Sequence, residues 1–512
     1  MDNKKSFVYK MFFFDEKQTQ RMIIMIHQQP TSCQHQEFPI TEDFAIAQFI
    51  RFLKHLNLKK MLSEVSDPRQ QNKCEHSNYT LLLWALSVFF FRQESKNSLQ
   101  TTIESTKPDK REALMKFMEI KNNQLPNRTT VDDYLALINP DEINNLLLEL
   151  FIWAKKNKLF YNHSETLLPN NRFYLCNDGF WVHKYDKPHA VDEFGNNACP
   201  YCLPRTHNKG TPDEKTYWVH AFVNFMFVFP GGLQLPIYVY PLKAVQVQIE
   251  PMASDEKLKQ ECELQAFHSC LPMLKEKLGR IEITELTDSL YSNEPVLQLY
   301  KELGWQYISV RQEGTLKCVG RHCDELAKTE LYQKSYQTHR SIHIGNEIRE
   351  QSVQWFNNVP VGKESFTNIM RFQEITKNVD GNTIRKFKTE WLIAEDIHKG
   401  NCFRISEEGR MRADHEDMHN SLKNRGFAAK HDYARTDANR WLVWKLLMFV
   451  AFWIFEVFSF TCLARRSKGT RSWMKFAKDL LQELVDVLWR EIDLSGSLQK
   501  KKIQFRYEFE PG

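Results

Sequence analysis

The sequence lacks three features that would place the protein in a specialised class at once. Its formal net charge is only +5 over 512 residues, so the chain as a whole is not a strongly basic polyanion-binding protein. Its eleven cysteines include one Cys-x2-Cys pair but form no regular framework, which argues against a disulfide-stabilised secreted protein. No N-terminal segment has the pattern of a signal sequence. We therefore expect a reducing, cytoplasmic location.

One apolar run, from Trp441 to Ala464, is long enough to cross a membrane. Lys445 and Glu456 interrupt it, and charges inside a membrane span are costly. The run is therefore interpreted as a buried core helix, and no membrane partner is expected. A membrane-anchored protein is the alternative.

Periodicity divides the chain into five segments. Residues 1–165 are predicted to be a helical N-terminal region that binds DNA or serves as a scaffold, and residues 166–310 alternate as strands, helix, strand, helix and strand. Residues 311–400 are predicted to be a β-rich insertion, residues 401–465 two helices, and residues 466–512 a helical region with a tail. This order is typical of an α/β protein with an RNase H-like core.

Two acidic residues follow predicted strands of that core. Asp178 follows Phe173–Asn177, with Trp181–Tyr185 as the expected hairpin partner, and Asp288 follows Ile281–Thr287. The alternatives are a turn residue before glycine for Asp178 and a helix cap for Asp288. Three neighbouring acids end no strand as clearly and are weaker candidates: Asp186, Asp192 and Glu285.

A third acid lies on a predicted helix after the insertion. At about 100° per residue, Arg412, Glu416 and Lys423 fall within roughly 40° of one another on this helix. A solvated face with an Arg–Glu pair four residues apart is the alternative. Three carboxylates on separate elements suit two Mg²⁺ or Mn²⁺ ions, and Arg412 and Lys423 could hold a DNA phosphate. Between Lys423 and Lys478, twelve basic residues against three acids also favour a polyanion partner.

The spacing Arg412-x3-Glu416-x6-Lys423 resembles the Tyr-x2-Arg-x3-Glu-x6-Lys signature of a branch of bacterial insertion-sequence DDE transposases. Gly409 occupies the tyrosine position. The resemblance implies that Asp178, Asp288 and Glu416 are the catalytic, metal-binding acids.

For function, the resemblance implies metal-dependent cleavage and transfer of DNA strands by a cut-and-paste route. Transposon ends and target DNA would be the partners, the protein would act as a homodimer in the synaptic complex, and it would be cytoplasmic and nucleoid-associated. Two alternatives remain open, a metal-dependent nuclease with the same fold and a decayed transposase that only binds DNA.

A separate pattern concerns zinc. Cys199-Pro-Tyr-Cys202, followed by His207, has the spacing of a zinc knuckle, and Cys318 with Cys323 could complete four ligands. Buried or free thiols are the alternative interpretation, and a redox pair is a weaker one because no helix begins at Cys199.

Overall fold

The computed structural model of the protein describes residues 44–120, 122–160, 168–208, 210–243, 255–362 and 365–486. The first 43 residues of the expected N-terminal region and the expected tail after Asp486 lie outside these ranges. Within them, the chain is a mixed α/β structure in which a helical region precedes a large mixed sheet. The α/β class and the helical N-terminal region predicted from the sequence are confirmed.

The helical region is built around one helix, Asn78–Phe90, which is buried from Thr80 onward. Its first turn is capped by the Ser77 hydroxyl, which accepts a hydrogen bond from the Thr80 backbone N–H (3.1 Å). Because the helix is apolar on all sides, its neighbours must surround it. The helices described here are α1 (Ala45–His55), α2 (Leu58–Glu64), α3 (Asn78–Phe90), α4 (Lys96–Ser105), α5 (Pro108–Phe117), α6 (Arg128–Leu135) and α7 (Pro140–Lys156).

The sheet has ten strands, and its main path runs in the order β2-β3-β1-β5-β6-β10-β9-β8-β7, with β4 also paired to β3. The strands are β1 (Phe173–Tyr185), β2 (Leu203–His207), β3 (Lys215–Val228), β4 (Gln234–Pro241), β5 (Ile283–Thr287), β6 (Gln306–Val310), β7 (Gln337–Ile344), β8 (Glu347–Pro360), β9 (Phe366–Asn378) and β10 (Thr383–Ile393). The strands β1, β5 and β6 pair in parallel, and the other pairs are antiparallel.

The strand β1 differs from the sequence prediction. The predicted turn at Asp178 and Gly179, with Trp181–Tyr185 as a hairpin partner, is wrong, because one continuous strand runs through these residues. Asp178 pairs with Asn224 of β3, and Gly179 pairs with Val223. The long antiparallel ladder with β3 satisfies the backbone groups that a local Asp-Gly turn would have used. Asp178 therefore lies in the middle of a strand.

The strands of the expected β-rich insertion continue the same sheet. The end of β10 pairs with β6, with Trp391 opposite Val310 and Ile393 opposite Ile308. Helices α8 (Asp255–Leu278), α9 (Glu294–Leu303), α10 (Lys317–Ala327) and α11 (Glu330–Ser335) lie between the strands of this half of the chain.

Up to Asp486, where the described part of the chain ends, five helices follow the sheet, namely α12 (Cys402–Arg410), α13 (Ala413–Asn424), α14 (Ala438–Ser459), α15 (Cys462–Lys468) and α16 (Trp473–Asp486). Among the described residues, α14 is the one helix long and apolar enough to span a membrane, and 94% of its most apolar window is buried inside the structure. Within α14, the Lys445 ammonium donates hydrogen bonds to the carbonyls of Ala429 (2.8 Å) and His431 (2.7 Å). Packing inside the protein thus accounts for the apolar run.

Candidate functional site

Asp178 lies within β1, and Asp288 lies one residue past the end of the neighbouring parallel strand β5. The last residues paired between these two strands are Cys176 and Leu286, so each acid is two residues beyond that pair on its own segment. Burial raises the pKa of Tyr291 and both acids raise it further, so the two carboxylates lie near the same phenol. Asp288 also accepts a hydrogen bond from the Leu290 N–H (2.9 Å), as the expected cap does.

Helix α13 brings two histidines against Asp178. His415 Nδ1 lies 3.9 Å from an Asp178 carboxylate oxygen, and the ligand atoms of Asp178, His415 and His419 all lie within 4.8 Å of one another. Asn224 of β3 links the two rings, because its side-chain oxygen contacts His415 Nε2 (2.5 Å) and its amide nitrogen contacts His419 Nε2 (2.7 Å). These contacts fix α13 across the centre of the sheet.

Both histidines are uncharged at neutral pH. Burial lowers the pKa of His415 to about 3, and the positive charge of Arg412 lowers it further. Burial also lowers the pKa of His419 well below its ordinary value, as does the neighbouring His415. These two neighbours of Asp178 therefore add no positive charge to compete with a bound cation.

Glu416 lies on the same helix but points elsewhere. Its side chain is 65% exposed, and Arg412 Nη2 lies 3.4 Å from its carboxylate. Both residues line a cleft of about 600 Å³ together with Arg349 and Arg410. Among the described residues, Asp178 groups with the two histidines and not with Asp288 or Glu416. Glu416 lies on the exposed surface of α13.

Lys423, at the opposite end of α13 from Arg412, lines a second cleft of about 840 Å³. Its ammonium lies 4.8 Å from the centre of the Phe180 ring. Burial lowers the pKa of Lys423 and nearby Lys430 lowers it further, whereas Asp178 raises it. We call this cleft the basic cleft, and its principal residues are Trp181, His183, Lys184, Arg205, His207, Lys423 and Lys430.

A buried acid that the sequence analysis missed packs against Gly179, the residue after Asp178. Glu263, on α8, is 3% exposed, and a Cβ built on Gly179 would overlap its carboxylate. Burial raises the pKa of Tyr291 and the charges of Glu263, Asp288 and Asp178 raise it further, so all three acids lie near this phenol. Helix α8 carries no motif spacing that could have identified Glu263. The histidines, by contrast, had a signal, since His415-Glu-x2-His419 is a known metal-binding spacing.

The three weaker acidic candidates lie in an ion pair, a turn and the buried core, respectively. Asp186 pairs with Lys215 (3.2 Å) at the surface, and Asp192 accepts backbone hydrogen bonds within its own turn. Glu285 is fully buried in β5, and burial raises its pKa well above the ordinary value.

Gly409, at the position of the signature tyrosine, is closely packed. A Cβ there would lie 3.0 Å from the Trp391 ring and 3.1 Å from an Ile308 methyl group. A side chain at this position would therefore require Trp391 or Ile308 to shift. The glycine is thus a packing residue where α12 crosses β6 and β10.

The two cysteines of the Cys-x2-Cys pair come together with two histidines that the sequence analysis did not single out. Cys199 groups with His189 and His220, and Cys202 Sγ also contacts His220. His207, in contrast, lines the basic cleft.

The second pair of cysteines belongs to another element. Cys318, which is exposed, and Cys323, which is buried, both lie on α10. Neither belongs to a metal-ligand group of three or more among the described residues.

A family model matches part of the chain. Residues 59–151, from within α2 to within α7, match the family model described as "DDE_Tnp_1-associated". No curated protein matches the chain. The match points to a protein of the DDE-type transposase family, and it covers the helical region that lies before the candidate site.

Proposed function

We propose that the protein is a DNA transposase of the cut-and-paste DDE type, in the branch with the Tyr-Arg-Glu-Lys signature. The family match over residues 59–151 supports this assignment. The strand order β4-β3-β1-β5-β6, in which β1, β5 and β6 are parallel, supports an RNase H-like core. The observation that carries the proposal is that Asp178 and Asp288 each follow by two residues the last pair of the parallel β1–β5 ladder, Cys176 and Leu286.

The catalytic acids in this proposal are Asp178, Asp288 and Glu416, which would hold two Mg²⁺ or Mn²⁺ ions. Carboxylate oxygens suit these hard cations, and the neutral histidines beside Asp178 do not oppose them. Bound metal would activate a water or a DNA 3′-hydroxyl and stabilise the leaving oxygen. Glu416 is exposed and held by one long contact to Arg412, so its carboxylate is free to rotate when metal and DNA bind.

The basic cleft is the proposed path of the DNA. Lys423 and Lys430 line it close to Asp178, and cationic side chains bind phosphates largely through counterion release. Arg205 stacks its guanidinium 4.2 Å from the Trp181 ring within the same cleft. Arg412, in the neighbouring cleft, is proposed to hold a phosphate on the Glu416 side.

A transposase must hold two DNA ends at once. We therefore propose that the protein works as a homodimer in the synaptic complex. It would act in the bacterial cytoplasm, in association with the nucleoid and without a membrane partner.

The test is cleavage of DNA that carries the sequences flanking the gene, measured on denaturing gels with Mg²⁺. Asp178→Asn, Asp288→Asn and Glu416→Gln should each lower the cleavage rate by at least about 100-fold. The reason is that losing a metal ligand should reduce the rate at least as much as losing a residue that hydrogen-bonds to a ligand. Asp186→Asn is the matched control, because this exposed carboxylate pairs with Lys215, and it should cleave normally. Wild-type rates in Asp178→Asn or Asp288→Asn would overturn the proposal.

Two further results separate the alternatives. Joining of the cut ends to a target plasmid identifies a transposase, whereas cleavage without joining identifies a nuclease. Binding of end DNA without cleavage identifies a decayed copy. If Glu263→Gln abolishes cleavage while Glu416→Gln does not, the third acid is Glu263, which packs against Gly179.

A metallopeptidase is a second candidate, favoured by the His-Glu-x2-His spacing on α13 and by the closeness of Asp178 to both histidines. In such a site, His415 and His419 would bind zinc and Glu416 would act as a base. The contact of each Nε2 with Asn224 counts against it. Casein hydrolysis that needs His419 but not Asp288 would support this candidate, and DNA cleavage that needs Asp288 would exclude it.

A further inference from the structure

Four side chains that suit a soft metal converge at the end of the β1–β3 ladder that lies away from Asp178. They come from the connection between β1 and β2 and from β3 itself, and each residue is 6% exposed or less. We call them the Cys2His2 cluster: His189, Cys199, Cys202 and His220. In the β1–β3 ladder, His220 pairs with His183, five residues after Asp178. At about 3.3 Å per residue, the cluster is therefore roughly 16 Å from the acids along the strand.

The distances between donor atoms are those of a tetrahedral zinc site. His220 Nε2 lies 3.4 Å from Cys199 Sγ and 3.1 Å from Cys202 Sγ. Bonds of about 2.3 Å to sulfur and about 2.0 Å to nitrogen, at a tetrahedral angle, place such atoms about 3.5 Å apart. The ligand atoms of His189, Cys199 and His220 also lie within 4.8 Å of one another.

The hydrogen bonds of His189 leave one ring nitrogen for a metal. Its Nε2 contacts the carbonyl oxygen of Ala434, and among the described residues its buried Nδ1 has no hydrogen-bond partner. A metal-binding histidine commonly donates its other ring N–H to a backbone carbonyl, which fixes the tautomer and the ring direction. The backbone N–H of His189 also donates to Cys202 Sγ (3.2 Å), so two groups of this residue are directed at the same centre.

We propose that the Cys2His2 cluster binds one zinc ion whose role is structural. Four protein ligands fill a tetrahedral zinc shell and leave no position for substrate. The Trp441 ring, centred 4.1 Å from that of His220, covers the site. Strand β2 begins at Leu203, directly after Cys202, and carries Arg205 and His207 of the basic cleft. The zinc would therefore hold β2, and with it one wall of that cleft, to the sheet and to α14.

The test is the zinc content of the full-length protein purified without chelators, measured by mass spectrometry. We expect about one zinc per chain, and at least about a 100-fold weaker zinc affinity in Cys199→Ser and His220→Ala. Cys318→Ser, on α10, is the matched thiol control and should keep its zinc. His419→Ala, in the group around Asp178, is the matched histidine control and should also keep it.

Cobalt substitution of the wild-type protein gives a second measurement that does not depend on variants folding. Two thiolates and two imidazoles predict tetrahedral d–d absorption together with thiolate charge-transfer bands, and the charge-transfer intensity should fall by half in Cys199→Ser. Folded wild-type protein without zinc and without the cobalt spectrum would overturn the proposal. So would a disulfide between Cys199 and Cys202 under reducing conditions, or zinc that depends on His419 instead of Cys199.

Discussion

Replacing Arg410 by methionine should destabilise the protein by leaving a buried carboxylate without its cation. Arg410 donates two hydrogen bonds to Glu374, at 2.9 Å and 2.6 Å, and Gln351 donates a third at 2.6 Å. The Glu374 side chain is 3% exposed and that of Arg410 27%. Breaking a buried pair by removing one partner costs about 3–5 kcal/mol. Because Arg410 is partly exposed, we expect a loss near the lower limit, about 3 kcal/mol.

The loss should depend on pH. In the wild type, burial raises the pKa of Glu374, but its hydrogen bonds to Arg410 and Gln351 outweigh burial and set the pKa below the ordinary 4.5. The pair therefore stabilises the protein above pH 4.5, and this stability is lost as the pH falls through the lower folded-state pKa. Without Arg410, burial should raise the pKa of Glu374, and protonation should relieve the unpaired charge. The difference between the two proteins should thus shrink from pH 7 towards pH 5.

Urea unfolding at pH 5, 6 and 7 measures both effects. Arg425→Met is the matched control, since its pair with Asp417 is about half exposed on both sides, and it should cost less than about 1 kcal/mol. The double variant Arg410→Met with Glu374→Gln should recover most of the lost stability. A loss below about 1 kcal/mol at pH 7 in Arg410→Met, or one that grows on acidification, would refute the reasoning.

Two further predictions concern the acids and the basic cleft. Gly179→Ala should lower the free energy of unfolding, measured by calorimetry, by about 1–3 kcal/mol, because the added Cβ would overlap the Glu263 carboxylate of α8. Gly314→Ala is the control, since its methyl group would lie in open space. Equal stability of the two variants would contradict the close approach of Glu263 to Gly179. Lys423→Ala and Lys430→Ala should each weaken DNA binding and reduce the salt slope by about one in fluorescence anisotropy. The exposed Lys334→Ala serves as the control, and an unchanged slope in both cleft variants would remove this cleft from the DNA surface.

Local patterns were enough to predict much of the architecture. The order of strands, helix, strand, helix and strand that was expected over residues 166–310 is the order of β1–β4, α8, β5, α9 and β6. The end of β5 before Asp288 was also predicted correctly. These elements depend on alternation or helical periodicity within a few residues, and both patterns can be read from the sequence.

Contacts between distant residues could not be predicted in this way. The Asp178-Gly179 pair has the composition of a turn, yet it stays extended because β3 pairs along its whole length. A helical wheel places Arg412 and Lys423 on one face, but they lie at opposite ends of α13 and line separate clefts.

By itself, the sequence determined the order of helices and strands, the positions of the acids and the Cys-x2-Cys pair. Only the tertiary structure decided that Asp178 and Asp288 both follow the same parallel strand pair, that Glu263 packs against Gly179, and that two histidines complete the Cys2His2 cluster. The reason is physical. Periodicity fixes the direction of a side chain relative to its own element, whereas sheet register and helix packing depend on burial and backbone hydrogen bonding between segments far apart in the chain.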